Sequence, residues 1–188
     1  LGSSFDQPGK PVLAPSAWVQ RFAHLIPAGS EVLDVACGHG RHTRLARSLG
    51  LRATAVDLDT RGVADLAFDP GVRIATCDLE SGPWPFAAGA YGAVIVANYL
   101  HRPHFPHLAA ALASGGVLLV DTFAMGNEQH GKPRNPDFLL APGELLAAFG
   151  GLLQVVAYEA GYEDHPRPAI RQRLCAIRGS GPAPLGPV

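Results

Sequence analysis

Residues 31–41 read Glu-Val-Leu-Asp-Val-Ala-Cys-Gly-His-Gly-Arg: a short buried strand, Glu31–Val35, that breaks at Gly38 and Gly40 and runs directly into a helical stretch at 41–49, stopped by Gly50. Strand, glycine turn and helix in that order open a parallel βαβ unit, and the pattern continues. A β-rich run at 52–56 precedes a helix at 60–68 and a third strand at 72–76. After a loop holding Gly82, Pro83 and Pro85 come Ala93-Val94-Ile95-Val96-Ala97, a helix at 105–113, the pair Gly115-Gly116 and Val117-Leu118-Leu119-Val120-Asp121. Neither apolar run alternates with polar residues, as expected of strands covered on both faces. Five parallel strands alternating with helices predict a doubly wound, Rossmann-like α/β sheet.

The flanks complete the plan. Trp18, Phe22, Leu25 and Ile26 recur at helical spacing over 14–26, with Pro27 and Gly29 as stop signals. A polar segment rich in Gly, Asn and Pro at 125–138 predicts a long loop of the kind used as a lid or binding loop. A short helix at 142–149 and two strand-like runs at 152–158 and 169–177, joined by a Pro-rich turn, predict a closing antiparallel hairpin, on which Arg167, Arg171 and Arg173 read as solvated charges. We expect one domain over 1–178 and a frayed tail over 179–188.

Composition narrows the function classes. With 188 residues and 47% hydrophobic content there is material for one sizeable core. A formal net charge of -1 gives no basic footprint for nucleic acid. Cys37, Cys77 and Cys175 are odd in number and widely spaced in apolar runs, which points to a reducing compartment. No run reaches the roughly 18 apolar residues of a membrane span, and residues 1–10 lack a charged-then-apolar leader, so a cytoplasmic protein is expected. The sequence leaves oligomeric state open.

The glycine turn falls at the carboxyl end of the first strand, where open α/β sheets bind ligands. Gly38 and Gly40 permit unusual torsions and close approach of a ligand to the main chain, and the helix that follows offers unsatisfied N–H groups and a partial positive charge. A dinucleotide fingerprint would need a third glycine where Thr43 stands, and Asp34 would sit beside the pyrophosphate; both argue against NAD and for an amino-acid-like ligand. Asp57 closes the second strand, about 20 residues downstream, where a carboxylate accepts bonds from ribose hydroxyls; as plain structure, Asp57 or Asp59 would be a helix N-terminal acid. Asp78 follows the third strand and could accept from an adenine amino group.

Asp34-x-x-Cys37-Gly38-x-Gly40, Asp57 and Asp78 together resemble the nucleoside-binding motifs of class I S-adenosylmethionine-dependent methyltransferases. Residues 97–103 (Ala-Asn-Tyr-Leu-His-Arg-Pro) and 135–140 (Asn-Pro-Asp-Phe-Leu-Leu) resemble a poorly characterised branch similar to tellurite-resistance-type methyltransferases. The resemblance implies a seven-stranded sheet, mostly parallel with a C-terminal antiparallel hairpin, and S-adenosyl-L-methionine as cofactor. It implies that Asp34, Gly38 and Gly40 hold the methionine part, Asp57 the ribose, and Asp78 with the Leu79 backbone the adenine, with Ala36, Leu58 and Asn98 completing the set.

For catalysis the candidates are Asn98 and Tyr99 at the end of the fourth strand and His101 as a base, with Arg102 able either to attract an anionic acceptor or to form a surface ion pair. No Asn-Pro-Pro-Tyr arrangement is present, which disfavours nucleobase N-methylation. His101, His104 and His107 recur every third residue, but Pro103 and Pro106 interrupt them and no metal is expected. His39 and His42 straddle the glycine turn, open to solvent-facing or cofactor-edge positions. The expected activity is methyl transfer to a small molecule or inorganic oxyanion; a non-catalytic binder of the same ligand, acting as regulator or subunit, is the alternative.

Overall fold

Along the central strands, neighbouring residues are buried on opposite sides of one sheet. In β4 (Tyr91–Ala97), Ala93 and Ile95 join one apolar cluster while Val94 and Val96 join another. β5 (Leu112–Phe123) does the same, with Val117 and Leu119 on one side and Leu118 and Val120 on the other. This period-2 division is what a strand with two covered faces requires. On one side the cover comes from α1 (Ala17–Phe22), through Trp18, Val19 and Phe22, and from α2 (Arg41–Ser48), through Ala46. On the other it comes from α3 (Phe105–Ala111) and α4 (Glu144–Phe149), through Leu108, Leu145 and Phe149.

The structure, a computed structural model, describes residues 13–183. Residues 1–10, read above for a leader, lie outside the described residues, as does the end of the expected tail, 184–188. The sheet has seven strands: β1 (Glu31–Val35), β2 (Arg52–Asp57), β3 (Val72–Thr76), β4, β5, β6 (Gln154–Glu163) and β7 (Ala169–Ile177), in the order β3-β2-β1-β4-β5-β7-β6. β1 to β5 pair parallel, and β7 pairs antiparallel with both β5 and β6. This is the Rossmann-like sheet with a closing hairpin that the sequence leads one to expect. β1 sits between β2 and β4, so strand order reverses there and a crevice opens at the carboxyl ends.

Several elements differ from their expected form. The helix expected over 14–26 divides into α1 and a 3₁₀ turn at Ala23–Leu25. The stretch Thr60–Phe68 is 3₁₀ rather than α-helical. Gly62 within it lies so close to the glycine turn that a Cβ there would be 2.7 Å from the Gly38 carbonyl oxygen. The helix expected to reach residue 113 stops at Ala111, because Leu112 already pairs with Tyr91 in the sheet. No helix links β3 to β4. Leu79 and Phe86 are buried there instead, with Trp84 edge-on to Phe86 at 5.2 Å, and they plug the face that α3 and α4 cover elsewhere. No helix among the described residues is long and apolar enough to cross a membrane.

Candidate active site

Register brings the ends of the strands to one level: Val35 pairs with Val56 and Val96, Asp57 with Thr76, and Ala97 with Asp121. From Val35 the chain turns through three left-handed residues, Ala36 (φ 53°), Gly38 (φ 55°) and Gly40 (φ 71°). Gly40 is the N-cap of α2 and has no side chain to cap it. A Cβ on Gly40 would also fall 2.5 Å from Val63 Cγ1, whereas one on Gly38 would meet nothing within 4 Å. The space over Gly38 is therefore open, bordered by main-chain amides at a helix N-terminus.

Asp34 does not open into that space. It is 1% exposed, and its Oδ2 accepts from the Thr43 amide at 2.9 Å and the Thr43 hydroxyl at 2.7 Å. Burial pushes its pKa up to about 6 against the lowering effect of the two Thr43 bonds. Thr43, which replaces the third fingerprint glycine, thus ties β1 to the first turn of α2. His42 is buried, accepts the Ser16 amide at Nε2 (3.1 Å), and has Nδ1 3.8 Å from Asp34 Oδ1. Burial, then the charge of Arg41, lowers its pKa to about 4, so the ring is neutral. His39 is exposed. Burial drives the Cys37 thiol up to about 12, leaving a small packing group rather than a nucleophile.

Asp57 does face the turn. Its Oδ2 accepts from the Gly38 amide at 2.8 Å and its Oδ1 from the Asp59 amide at 3.0 Å. Each oxygen keeps a lone pair for a ligand hydroxyl. Leu58, next in sequence, is 67% exposed and offers an apolar surface beside the carboxylate. Asp78 is exposed, its Oδ1 accepting from the Glu80 and Ser81 amides at 3.0 and 3.2 Å; the Ser81 side chain first, and then these amides, hold its pKa below the usual carboxylate range. Leu79 is buried behind it.

Opposite lies a buried ionic cluster absent from the sequence reading. Arg171, expected as a solvated hairpin charge, is 8% exposed. Its guanidinium donates to Asp121 Oδ1 at 2.7 Å, to the Asp121 carbonyl at 2.9 Å and to Asn98 Oδ1 at 2.7 Å, and lies 4.4 Å from the Phe123 ring centroid. Arg173 donates to the same Asp121 oxygen at 3.1 Å and pairs with Glu163. The other Asp121 oxygen accepts from Ser16, the N-cap of α1, at 2.5 Å. β7 runs antiparallel, so its alternation aims Arg171 and Arg173 at Asp121 instead of at water. Asn98 is left-handed (φ 57°); Arg171 engages its amide oxygen, leaving the NH2 available to a ligand.

Beside Asn98, at the ends of β4 and β5, is a cavity of about 270 Å³, walled by Asn98, Tyr99, Leu100 and Phe123, by Glu80, and by Pro133 and Phe138 from the long loop. Arg102 fixes that loop. It forms a two-point ion pair with Glu144 at 2.6 and 3.0 Å and donates to the carbonyls of Asp137 at 2.7 Å and Leu139 at 2.9 Å. The ion-pair reading of Arg102 is thus the observed one. His101, the expected base, does not line this cavity. It borders a void of about 10 Å³ behind Tyr99, its ring 4.4 Å from that of His104.

Residues 32–116 match the family described as a methyltransferase domain. That match takes in just under half of the chain. Solved methyltransferases share its fold. TehB from Haemophilus influenzae superposes with a TM-score of 0.67 at 18% identity over 83% of this chain, which spans only 60% of TehB. An S-adenosylmethionine-dependent methyltransferase from Mesorhizobium loti gives 0.67 at 18% identity, covering 84% of this chain and 95% of its own. The 1,6-didemethyltoxoflavin-N1-methyltransferase of Burkholderia thailandensis, solved with its acceptor and S-adenosylhomocysteine, gives 0.65 at 19% identity, covering 86% and 76%. The fold is that of the class I S-adenosylmethionine-dependent methyltransferases.

Around this crevice, sequence reasoning missed Gly62, Glu80 and the Asp121–Arg171 pair. Only Gly62 carried a local signal, as a glycine inside a helical pattern. Of His101, His104 and His107, only His104 is buried: Trp84 tilts against it at 5.0 Å and stacks on the exposed His107 at 5.8 Å. Among the described residues no group of three His, Cys, Asp or Glu is placed to hold a metal.

Proposed function

We propose that this protein is an S-adenosylmethionine-dependent methyltransferase acting on a small molecule, with 1–178 as one catalytic domain in the reducing setting that its free cysteines suit. The observation that carries the reading is the bond from the Gly38 amide to Asp57, which places an acid with spare lone pairs beside an open glycine turn. The residues fit the cofactor. Asp57 is placed for the ribose diol, Leu58 for one face of the adenine, and Asp78 with the Leu79 backbone for its polar edge. Gly38, Gly40 and the start of α2 offer amides to a carboxylate. Arg41, the first residue of α2, adds a positive charge within electrostatic reach of Asp121, Arg171 and Asp34. Ala36 shapes the turn, and Asp34 acts through Thr43 by holding the helix start in place.

When bound, the cofactor supplies a methyl group already activated on a sulfonium, so the protein has mainly to align the acceptor and exclude water; alignment supplies roughly 7–11 kcal/mol of such a barrier. Asn98 and Tyr99 line the acceptor cavity, and the loop carrying Pro133 and Phe138 walls it on the remaining side. The cavity falls below the ~300 Å³ lower end of drug-sized pockets, which supports a small acceptor; the toxoflavin precursor bound by the Burkholderia neighbour is an acceptor of that size class. An inorganic oxyanion is the second acceptor class implied by the tellurite-resistance resemblance.

Titration calorimetry tests the reading directly. Both S-adenosylmethionine and S-adenosylhomocysteine are expected to bind with measurable heat, and absence of heat for both would end it. Tight binding without transfer to any thiol, phenol, amine or chalcogen oxyanion would favour a regulatory binder.

A further inference from the structure

We propose that the cavity at the ends of β4 and β5 takes a neutral aromatic or heteroaromatic acceptor bearing an O–H or N–H group, and that Glu80 accepts the hydrogen bond of that group and bars oxyanions. The inference rests on the methyl-transfer reading above and narrows it.

Three observations carry it. The first is charge. Among the described residues, Glu80 is the single ionisable acid or base in the cavity wall besides the phenol of Tyr99. Cations close to the cavity are engaged elsewhere, Arg102 by Glu144 and the carbonyls of Asp137 and Leu139, Arg171 by Asp121 and Asn98, and Arg41 by the carbonyl of Ala14. Lys132 and Arg134 flank Pro133 but are exposed and do not line the cavity. An anionic acceptor would meet a carboxylate with no lining cation to offset it, whereas a protic neutral group meets a hydrogen-bond acceptor.

The second is a poorly satisfied polar atom. Tyr99 Oη is buried and, among the described residues, makes no hydrogen bond of good geometry, the Glu80 carboxylate being the acceptor that acts on it. Burial, then the negative charge of Glu80, pushes its pKa up, so it remains an O–H donor. A buried hydroxyl without a well-aligned partner is costly, and a ligand heteroatom held between Tyr99 and Glu80 satisfies donor and acceptor together. The third is shape. Phe123 and Phe138, with Leu100, supply apolar surface to a flat ring, and Phe138 is 46% exposed on the loop that Arg102 anchors. The proton that an oxygen or nitrogen nucleophile sheds on methylation would already point at a carboxylate.

The test uses the protein loaded with S-adenosylhomocysteine, loading being verified by calorimetry for each variant, and 4-nitrophenol as probe, whose absorbance distinguishes phenol from phenolate. At a pH where the free probe is neutral, we expect it to bind in that form, and benzoate or selenite at about tenfold excess to leave it in place. Glu80→Gln is expected to let benzoate compete and to lower the pH at which the bound probe ionises by about one unit or more. Displacement by benzoate or selenite in the unaltered protein, probe bound as phenolate, no probe binding at all, or indifference to Glu80→Gln would each overturn the proposal. Failure to load S-adenosylhomocysteine would instead strike at the methyl-transfer reading.

Discussion

Asp34 Oδ1 lies 3.8 Å from His42 Nδ1, and burial displaces the two groups in opposite directions, the acid up to about 6 and the imidazole down to about 4. For Asp34 the folded state holds its proton more tightly than the unfolded chain, so its contribution declines as pH rises from about 4 to about 6. For His42 the folded state refuses a proton that the unfolded chain takes, so stability declines as pH falls from about 6.5 to about 4. Each full shift corresponds to about 3 kcal/mol, and the slopes oppose. Urea midpoints of the native protein should therefore be nearly flat from about pH 4 to 6.5. Asp34→Asn should lose stability on acidification across that window and His42→Gln on raising the pH; slopes of the same sign in both variants would refute the assignment.

Asp57 has no substitute at the turn. Asp57→Ala removes the acceptor of the Gly38 and Asp59 amides and the group proposed above to hold the ribose. Calorimetry should show S-adenosylmethionine affinity lowered about tenfold or more, with far-ultraviolet circular dichroism preserved. Undiminished affinity would remove Asp57 from the site.

Arg171 neutralises an acid that water cannot reach. Arg171→Met should cost up to about 3 kcal/mol, the low end of the range for breaking a buried ion pair, because Arg173 still donates to Asp121 Oδ1, and less when combined with Asp121→Asn. A double variant as unstable as the sum of the two single ones would show that the pair is not coupled.

Gly62 sets how closely the 3₁₀ segment approaches the turn. Gly62→Ala would place a Cβ 2.7 Å from the Gly38 oxygen, and the segment must retreat. We expect about 1–3 kcal/mol of destabilisation together with weaker cofactor binding. Gly131→Ala, where nothing lies within 4 Å of the added carbon, should leave both unchanged.

Arg102 is the tie between the long loop and the start of α3. Arg102→Ala is expected to expose 125–140 to limited proteolysis and to raise the KM of the acceptor more than it lowers kcat. Unchanged cleavage of the loop would mean that Glu144 and the loop's own contacts suffice.

What the sequence made legible is what local pattern encodes. The doubly covered runs at Ala93–Ala97 and Val117–Asp121 required buried parallel strands, and the glycine turn required the crevice. Arg171 was misread because spacing tells which residues share a face but not what that face meets, and its partner lies 50 positions away. Asp34 was expected at the ligand because its place in the motif is right, yet its direction depends on Thr43, 9 positions on in the first turn of α2. Glu80 reads as an ordinary loop acid until Tyr99 and Phe138, both remote in sequence, close a cavity around it.

The reversed course of β7 decides more than sheet geometry. Because that strand enters where its neighbours leave, its opening residues, not its closing ones, reach the end of the sheet where the crevice opens, and a cation arrives there from a strand synthesised well after Asp121. Nascent chains ending ahead of residue 171 would carry Asp121 without its counter-charge, so burial of that acid must await the return of the hairpin of β6 and β7.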